Sequence, residues 1–223
     1  MNTVKGFPAH FHYAIASLLI LLFYCFSCAA AFTGPSAKEA AEALGALEGK
    51  TRVLSSLRAD FEQISHIPLF DKPVLSRGRL LFQKPGNLLW ACTAPYAEGF
   101  SFYKGAGLSW DERTGITPMQ PERTSAAKAF LAGISGWLDF SVATAEKSYH
   151  ITVKSLSPLL VELSPKESAL ASIIASLLFT FADDGTARTL VINETQGGKT
   201  EIRFRNVVVN APLAEADFTR PAQ

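Results

Sequence analysis

Gly78–Trp90 reads GRLLFQKPGNLLW, and its pattern is that of two strands joined by a tight turn. In an extended strand Leu80 and Phe82 point to one face, while Arg79, Leu81 and Gln83 point to the other. Pro85-Gly86-Asn87 punctuates the run: proline fixes φ and removes a donor, and glycine and asparagine tolerate positive φ. On the return strand Leu88, Trp90 and Cys92 share a face. The stretch builds an apolar, aromatic surface on a sheet and offers no group suited to catalysis.

Working outward, the same alternation recurs. Ala37–Leu57 has helical spacing, with Ser36 as cap and Glu39 completing a capping box. Arg58–Ile67 reads as a strand in which Phe61, Gln63 and Ser65 alternate with Asp60, Glu62 and Ile64. Pro68–Pro73 is a loop. Phe100–Lys104 and Leu108–Glu112 form a hairpin around Gly105-Ala106-Gly107, and Ile116–Gln120 is a short strand. Pro121–Ile134 reads as a helix, with Trp137–Ala145 able to extend it. Tyr149–Lys154, Leu159–Leu163, Leu177–Ala182, Thr189–Glu194 and Thr200–Val209 are strands, with turns at Asp183-Asp184-Gly185 and Gln196-Gly197-Gly198. In the last strand Ile202, Phe204 and Asn206 oppose Arg203 and Arg205. Ser168–Ser176 fits a short helix or a loop. The expected fold class is α+β: one strongly curved antiparallel sheet covered by helices.

The N-terminus is a targeting segment. Lys5 is the only clear charge before the apolar run Ala14–Phe26, and Ala29-Ala30-Ala31 supplies a small-residue cleavage pattern. Residues 1–31 are expected to be a cleaved secretory signal peptide and residues 32–223 a single domain. An uncleaved anchor is the rival, since Ala14–Phe32 is just long enough to span a bilayer. Lipidation at Cys25 or Cys28 is a third reading, poorly matched in the residues before either cysteine.

The chain carries 21 Lys+Arg and 20 Asp+Glu. Only Lys5 falls in the leader, so residues 32–223 have no net formal charge. No basic excess invites nucleic acid, and no acidic excess invites cations. Cys92 is the only cysteine beyond the leader, so no internal disulfide is available there. A buried small hydrophobe is its expected role.

Candidate chemistry is sparse. His66 and His150 sit in no metal-ligand spacing. Asp183 and Asp184 read as a turn, and Asp60 and Glu62 as a solvated strand face. A hydrolase using an acid such as Glu62 or Asp139 is a further reading, and it predicts turnover of an ester substrate that an acid-to-amide change abolishes. Phe61, Phe82, Trp90, Phe100, Phe102, Trp110, Phe130, Trp137 and Phe140 are consistent with a packed core, or with the walls of an apolar cavity of the kind that holds acyl chains.

The order Phe61-Glu62-Gln63, then Gly78, Leu80, Phe82, Lys84, Pro85 and Trp90, then Pro212, Phe218 and Pro221, resembles the LolA family of periplasmic lipoprotein carriers. The resemblance implies a half-closed antiparallel β-barrel with an α-helical lid. It implies a monomeric, non-enzymatic chaperone without a cofactor. Such a chaperone takes the acyl chains of a lipoprotein from an inner-membrane ABC transporter, crosses the periplasm and passes them to an outer-membrane acceptor. On this reading Phe61, Leu80, Phe82, Trp90, Phe102 and Trp110 line the lipid cavity, and Phe130 and Leu131 come from the lid. Where the family has an arginine that holds the lid, this chain has Lys84, which keeps the charge without the planar fork of donors. Alternatives within the same fold are a membrane-anchored acceptor, or a carrier of glycolipid or another acylated product.

Overall fold

The computed structural model describes residues 34–113, 115–119 and 141–219. The leader, the helix expected over 121–134, Phe130, Leu131, Trp137, Asp139, Phe140 and Pro221 lie outside the described residues.

Helix α1 (Ala37–Arg52) opens the described chain. Its start follows the expected capping box: the Ser36 hydroxyl accepts from the Glu39 amide, and the Glu39 carboxylate accepts from the Ser36 amide at 2.9 Å. Six strands follow: β1 (Ser56–His66), β2 (Val74–Gln83), β3 (Asn87–Ala94), β4 (Glu98–Tyr103), β5 (Ala106–Asp111) and β6 (Gly115–Met119). Then come α2 (Val142–Ser148), β7 (Tyr149–Leu156), β8 (Leu159–Pro165), α3 (Ser168–Ala171), β9 (Ile174–Phe181), β10 (Ala187–Glu194), β11 (Lys199–Val209) and α4 (Glu215–Thr219). The ambiguous stretch 168–176 therefore divides into one helical turn and the start of a strand.

All eleven strands join one antiparallel sheet in the order β6-β5-β4-β3-β2-β1-β11-β10-β9-β8-β7. Among the described residues β6 and β7 are unpaired edges, so the sheet curves without closing. β1 is the seam, pairing with β2 on one side and β11 on the other. It thereby joins the two halves of the chain.

The two faces differ. The inner face carries the main core: Leu57, Ala59 and Phe61 of β1, Leu80 and Phe82 of β2, Leu88 and Trp90 of β3, with Val161, Phe179, Leu190 and Ile202 from the other half. The outer face is polar over β1 and β11, where Glu62 receives two hydrogen bonds from Arg205 at 2.8 and 3.0 Å. Over β3 and β5 the outer face is apolar again. There Leu81, Leu89, Ala91 and Trp110 form a second cluster, closed by Phe218 of α4.

The expected alternation fails once. Asn206 adopts φ 51° at a bulge opposite Arg58–Asp60, and its amide donates to the Asp60 carboxylate at 2.7 Å. The extra residue resets the side-chain period, so Val207, not Asn206, packs against the inner core after Phe204.

Gly78 shows how tightly the seam is packed. It stands opposite Phe61 across the β1–β2 pair. A Cβ there would sit 2.3 Å from the Phe61 ring and 2.2 Å from the Ala91 carbonyl oxygen. Backbone on one side and a fully buried ring on the other leave little room to yield. Gly78→Ala is expected to cost about 3 kcal/mol, at the upper end of overpacking penalties. Urea denaturation monitored by circular dichroism measures it.

Candidate functional site: the inner face and its helical cover

The inner face holds a line of aromatic contacts crossing the seam. Phe61 stacks on Trp90 at 4.5 Å with 29° between planes. Trp90 meets Phe204 edge to face at 6.4 Å and 88°. Phe100 and Phe102 lie 6.0 Å apart on β4, and Phe179 stacks with Phe181 at 6.0 Å on β9. Rings on a pleated surface interlock through their edges and faces, which favours such offset geometries.

α1 packs over part of this face. Leu47 is buried in the main core and Leu44 packs against it, as do Val142 and Ala145 of α2. Yet Leu47 and Thr51 are the only buried residues of the 16 in α1. The helix is thus attached mainly near its C-terminal end, and polar contacts reinforce that end. The Lys84 ammonium donates to the Thr51 and Arg52 carbonyls, each at 3.3 Å. The Lys50 ammonium donates to the Asp183 carbonyl at 2.6 Å, in the β9–β10 turn. The last carbonyls of a helix have no partner within it and carry partial negative charge, so the Lys84 cation there satisfies both needs. Lys84 is placed to do this by the turn it opens: its amide donates to the Ser55 carbonyl at 2.9 Å, just past the helix end.

Beneath the tethered end a pocket of about 220 Å³ opens beside Leu47, Lys50, Leu156, Pro158, Phe181 and Asp183. Leu47 and Phe181 also belong to the main core, so the pocket leads from the surface to the inner face. Ligand pockets run from about 300 Å³ upward, so a bulky acyl guest requires more space than this pocket offers.

Five of the residues expected to line a cavity meet on the inner side. Phe61, Leu80, Phe82 and Trp90 belong to the main core. Phe102 stands opposite Leu88 across the β3–β4 pair and is buried at 8%. Trp110 does not join them. It stands opposite Gly99, which itself stands opposite Ala91, so its ring lies in the outer cluster. Gly99 makes room for that ring: a Cβ there would meet it at 2.7 Å. The Trp110 indole Nε1 is buried without a hydrogen-bond partner among the described residues. Inner-face residues outside the expected cavity lining come from α1 and the C-terminal half, chiefly Leu47, Phe179, Phe181 and Phe204. The period-2 spacing of Leu177, Phe179 and Phe181 was the signal for the two phenylalanines of β9.

The acids have structural partners. Glu62 is engaged by Arg205 and Asp60 by Asn206. Asp184 accepts from the Thr186 amide at 2.9 Å and its hydroxyl at 2.6 Å, an Asx turn. Burial raises the Asp184 pKa, but these bonds and Arg188 outweigh it and leave the carboxyl below its ordinary range. Among the described residues no group of three or more His, Cys, Asp or Glu is placed to hold a metal ion.

Known proteins can be set beside this geometry. The family model of the outer membrane lipoprotein carrier protein LolA matches residues 52–221. The chain belongs to the LolA family. The match runs from the end of α1 through the whole sheet, and so includes Lys84 and every strand of the inner face. No curated protein matches the chain in sequence. Similar solved structures include a LolA superfamily protein from Nitrosomonas europaea, 11% identical, with TM-score 0.44, covering 81% of this chain and 97% of that one. A putative outer membrane lipoprotein-sorting protein domain from Vibrio parahaemolyticus is 12% identical with TM-score 0.47, covering 80% and 95%. LprF from Mycobacterium bovis is 15% identical with TM-score 0.44, covering 86% and 100%.

Two outcomes follow from this LolA-type interior. Lys84→Met is expected to lower stability by about 1 kcal/mol. It should also speed hydrogen exchange in the last turn of α1 while leaving β1–β3 protected. Cys92 is buried against the inner core, and its thiol is pushed up to about 11, by burial first and by Glu98 second. It stays neutral at pH 8, so iodoacetamide should leave the Cys92 peptide unmodified until the protein is unfolded. The thiol ionises more readily in the unfolded chain, near its ordinary value of 9.0. Its contribution to stability is therefore complete below pH 9 and lost as pH rises toward 11.

Proposed function

We propose that this protein is a periplasmic carrier that shields the acyl chains of a lipoprotein, or of a related lipid, against the inner face of its sheet. Residues 1–31 direct export and are removed, and residues 32–223 form the carrier. Cargo arrives from an inner-membrane ABC transporter and leaves to an outer-membrane acceptor. The observation that carries the reading is the aromatic inner face beneath a helix anchored at one end. Phe61, Trp90 and Phe204 form a continuous apolar floor, and α1 covers part of it with two buried residues.

The energetics suit a carrier. A triacylated protein exposes some tens of methylenes to water, each worth about 0.8 kcal/mol on transfer. A permanently open apolar trough would bind too readily and aggregate, and a sealed core would bind nothing. A cover held by a few polar contacts and little buried area can yield when acyl chains compete for the floor. Leu80, Phe82, Trp90 and Phe102 serve as the floor in this reading, and Lys84 as the latch. Phe130 and Leu131 remain proposed lid residues.

Native mass spectrometry of the protein mixed with a synthetic triacylated lipopeptide tests this. The expected result is a 1:1 complex, with Lys84→Met taking up a fluorescent fatty-acid probe about fivefold faster than the unaltered chain, the equivalent of about 1 kcal/mol. Absence of any complex with either ligand, for both the unaltered chain and Lys84→Met, overturns the proposal.

A further inference from the structure

The connection between β1 and β2 has an unusual tip. Ile67-Pro68-Leu69-Phe70 forms a hydrogen-bonded turn, the Phe70 amide donating to the Ile67 carbonyl at 2.9 Å. Turns ordinarily expose polar residues, with glycine, asparagine, aspartate or serine beside proline. Here the turn is apolar throughout, and its side chains stand in solvent. Leu69 is 90% exposed and Phe70 60%. Leu75, where β2 begins, is 62% exposed, and Ile67 and Val74 are partly so. Tyr96, in the β3–β4 connection at the same end of the sheet, is 65% exposed.

From this we infer that the β1–β2 tip inserts its apolar side chains into a lipid bilayer surface. The tip is closed by its own turn hydrogen bond and grows from paired strands. β1 is paired to its last residue, His66 standing opposite Lys199, and β2 is paired from Val74. Immobilising large apolar side chains in water has no benefit within the fold, where the inner face buries such residues almost completely. The occupant is identified by shape. A stable protein interface takes about 800 Å² from each partner, spread over some twenty residues with matched contours. A single convex turn presents neither that area nor a groove. A bilayer accepts an apolar knuckle of any outline and gains about 25 cal/mol for each Å² withdrawn from water. His66, Asp71 and Lys72, at the base of the tip, would stand among the headgroups, as would Tyr96, an aromatic with one polar end.

The location adds sense to this. Lys84 and the Lys50–Asp183 contact tie α1 at the opposite end of the sheet, where the β2–β3 and β9–β10 turns lie. Contact with a membrane through the tip would leave the tethered end of α1 facing away from the lipid. The inference rests on the exposed turn and not on the cargo reading, and the two are tested by different signals.

The experiment places tryptophan at the tip, Leu69→Trp in the full chain. A control, Val53→Trp, sits at the other end of the sheet, where Val53 is 71% exposed. Each protein is mixed with vesicles of phosphatidylethanolamine and phosphatidylglycerol, with and without acyl-chain-brominated lipid. Expected is a blue shift and bromine quenching for Leu69→Trp and neither for Val53→Trp. The paired change Leu69→Asp, Phe70→Asp should weaken vesicle partitioning at least roughly tenfold. These tip residues are solvent-exposed, so the fold tolerates the change, and circular dichroism checks it. If Leu69→Trp shows no shift or quenching, the inference is overturned. That result, together with lipopeptide binding, would leave a carrier whose tip serves a protein partner instead.

Discussion

An antiparallel sheet that is polar on one side over its centre and apolar on the other must cover the apolar side. In a β-sandwich a second sheet does this, and in a closed barrel the sheet covers itself. Here eleven strands curve without closing, so helices must supply the cover. The fold depends on that constraint. Its seam is β1, where Phe61 lies across Gly78 and stacks on Trp90. Curvature brings the rings of β1, β3, β9 and β11 into one core. The cover itself is thinly attached, by Leu47 and by lysine contacts to backbone carbonyls.

The sheet and its cover are held by different kinds of interaction. The sheet is stabilised by side chains with almost no exposure, such as Leu80 at 0% and Phe61 at 1%. Removing one large ring from such a site costs about 3–5 kcal/mol. The helix, in contrast, is held by one deeply buried leucine, Leu47, and by polar contacts worth about 1 kcal/mol each. The proposed carrier therefore assigns motion to the cover and rigidity to the floor. In the proposed carrier, lysine at position 84 serves as the latch. It meets two carbonyls of a helix end, which ask for a compact cation and not for a planar fork.

Much of this was legible in the sequence and some was not. Gly78–Trp90 announced a strand pair with Leu80, Phe82, Leu88 and Trp90 on one face, because local alternation and a proline-glycine turn leave little freedom. The capping box at Ser36 was equally local. Trp110 was misplaced because its face depends on the register of the β4–β5 hairpin, where Gly99 stands opposite it. Asn206 broke the alternation because a bulge is a property of two strands together. The partners of Lys84 lie 32 and 33 residues away on a different element, which spacing along the chain does not reveal. Pro68–Pro73 was legible as a loop, but the exposure of its apolar residues was not.

The central claim is that α1 is the movable cover of an apolar floor. Pulsed electron–electron double resonance between spin labels at Glu42 of α1 and Lys154 of β7 tests it most directly. Both native side chains are solvent-accessible, so labelling spares the core. On adding a triacylated lipopeptide the account predicts a longer, broader distance distribution, and Lys84→Met should shift the free protein part-way toward it. An unchanged distribution with the lipopeptide demonstrably bound would contradict the account, because the cargo would then occupy the protein without displacing the helix.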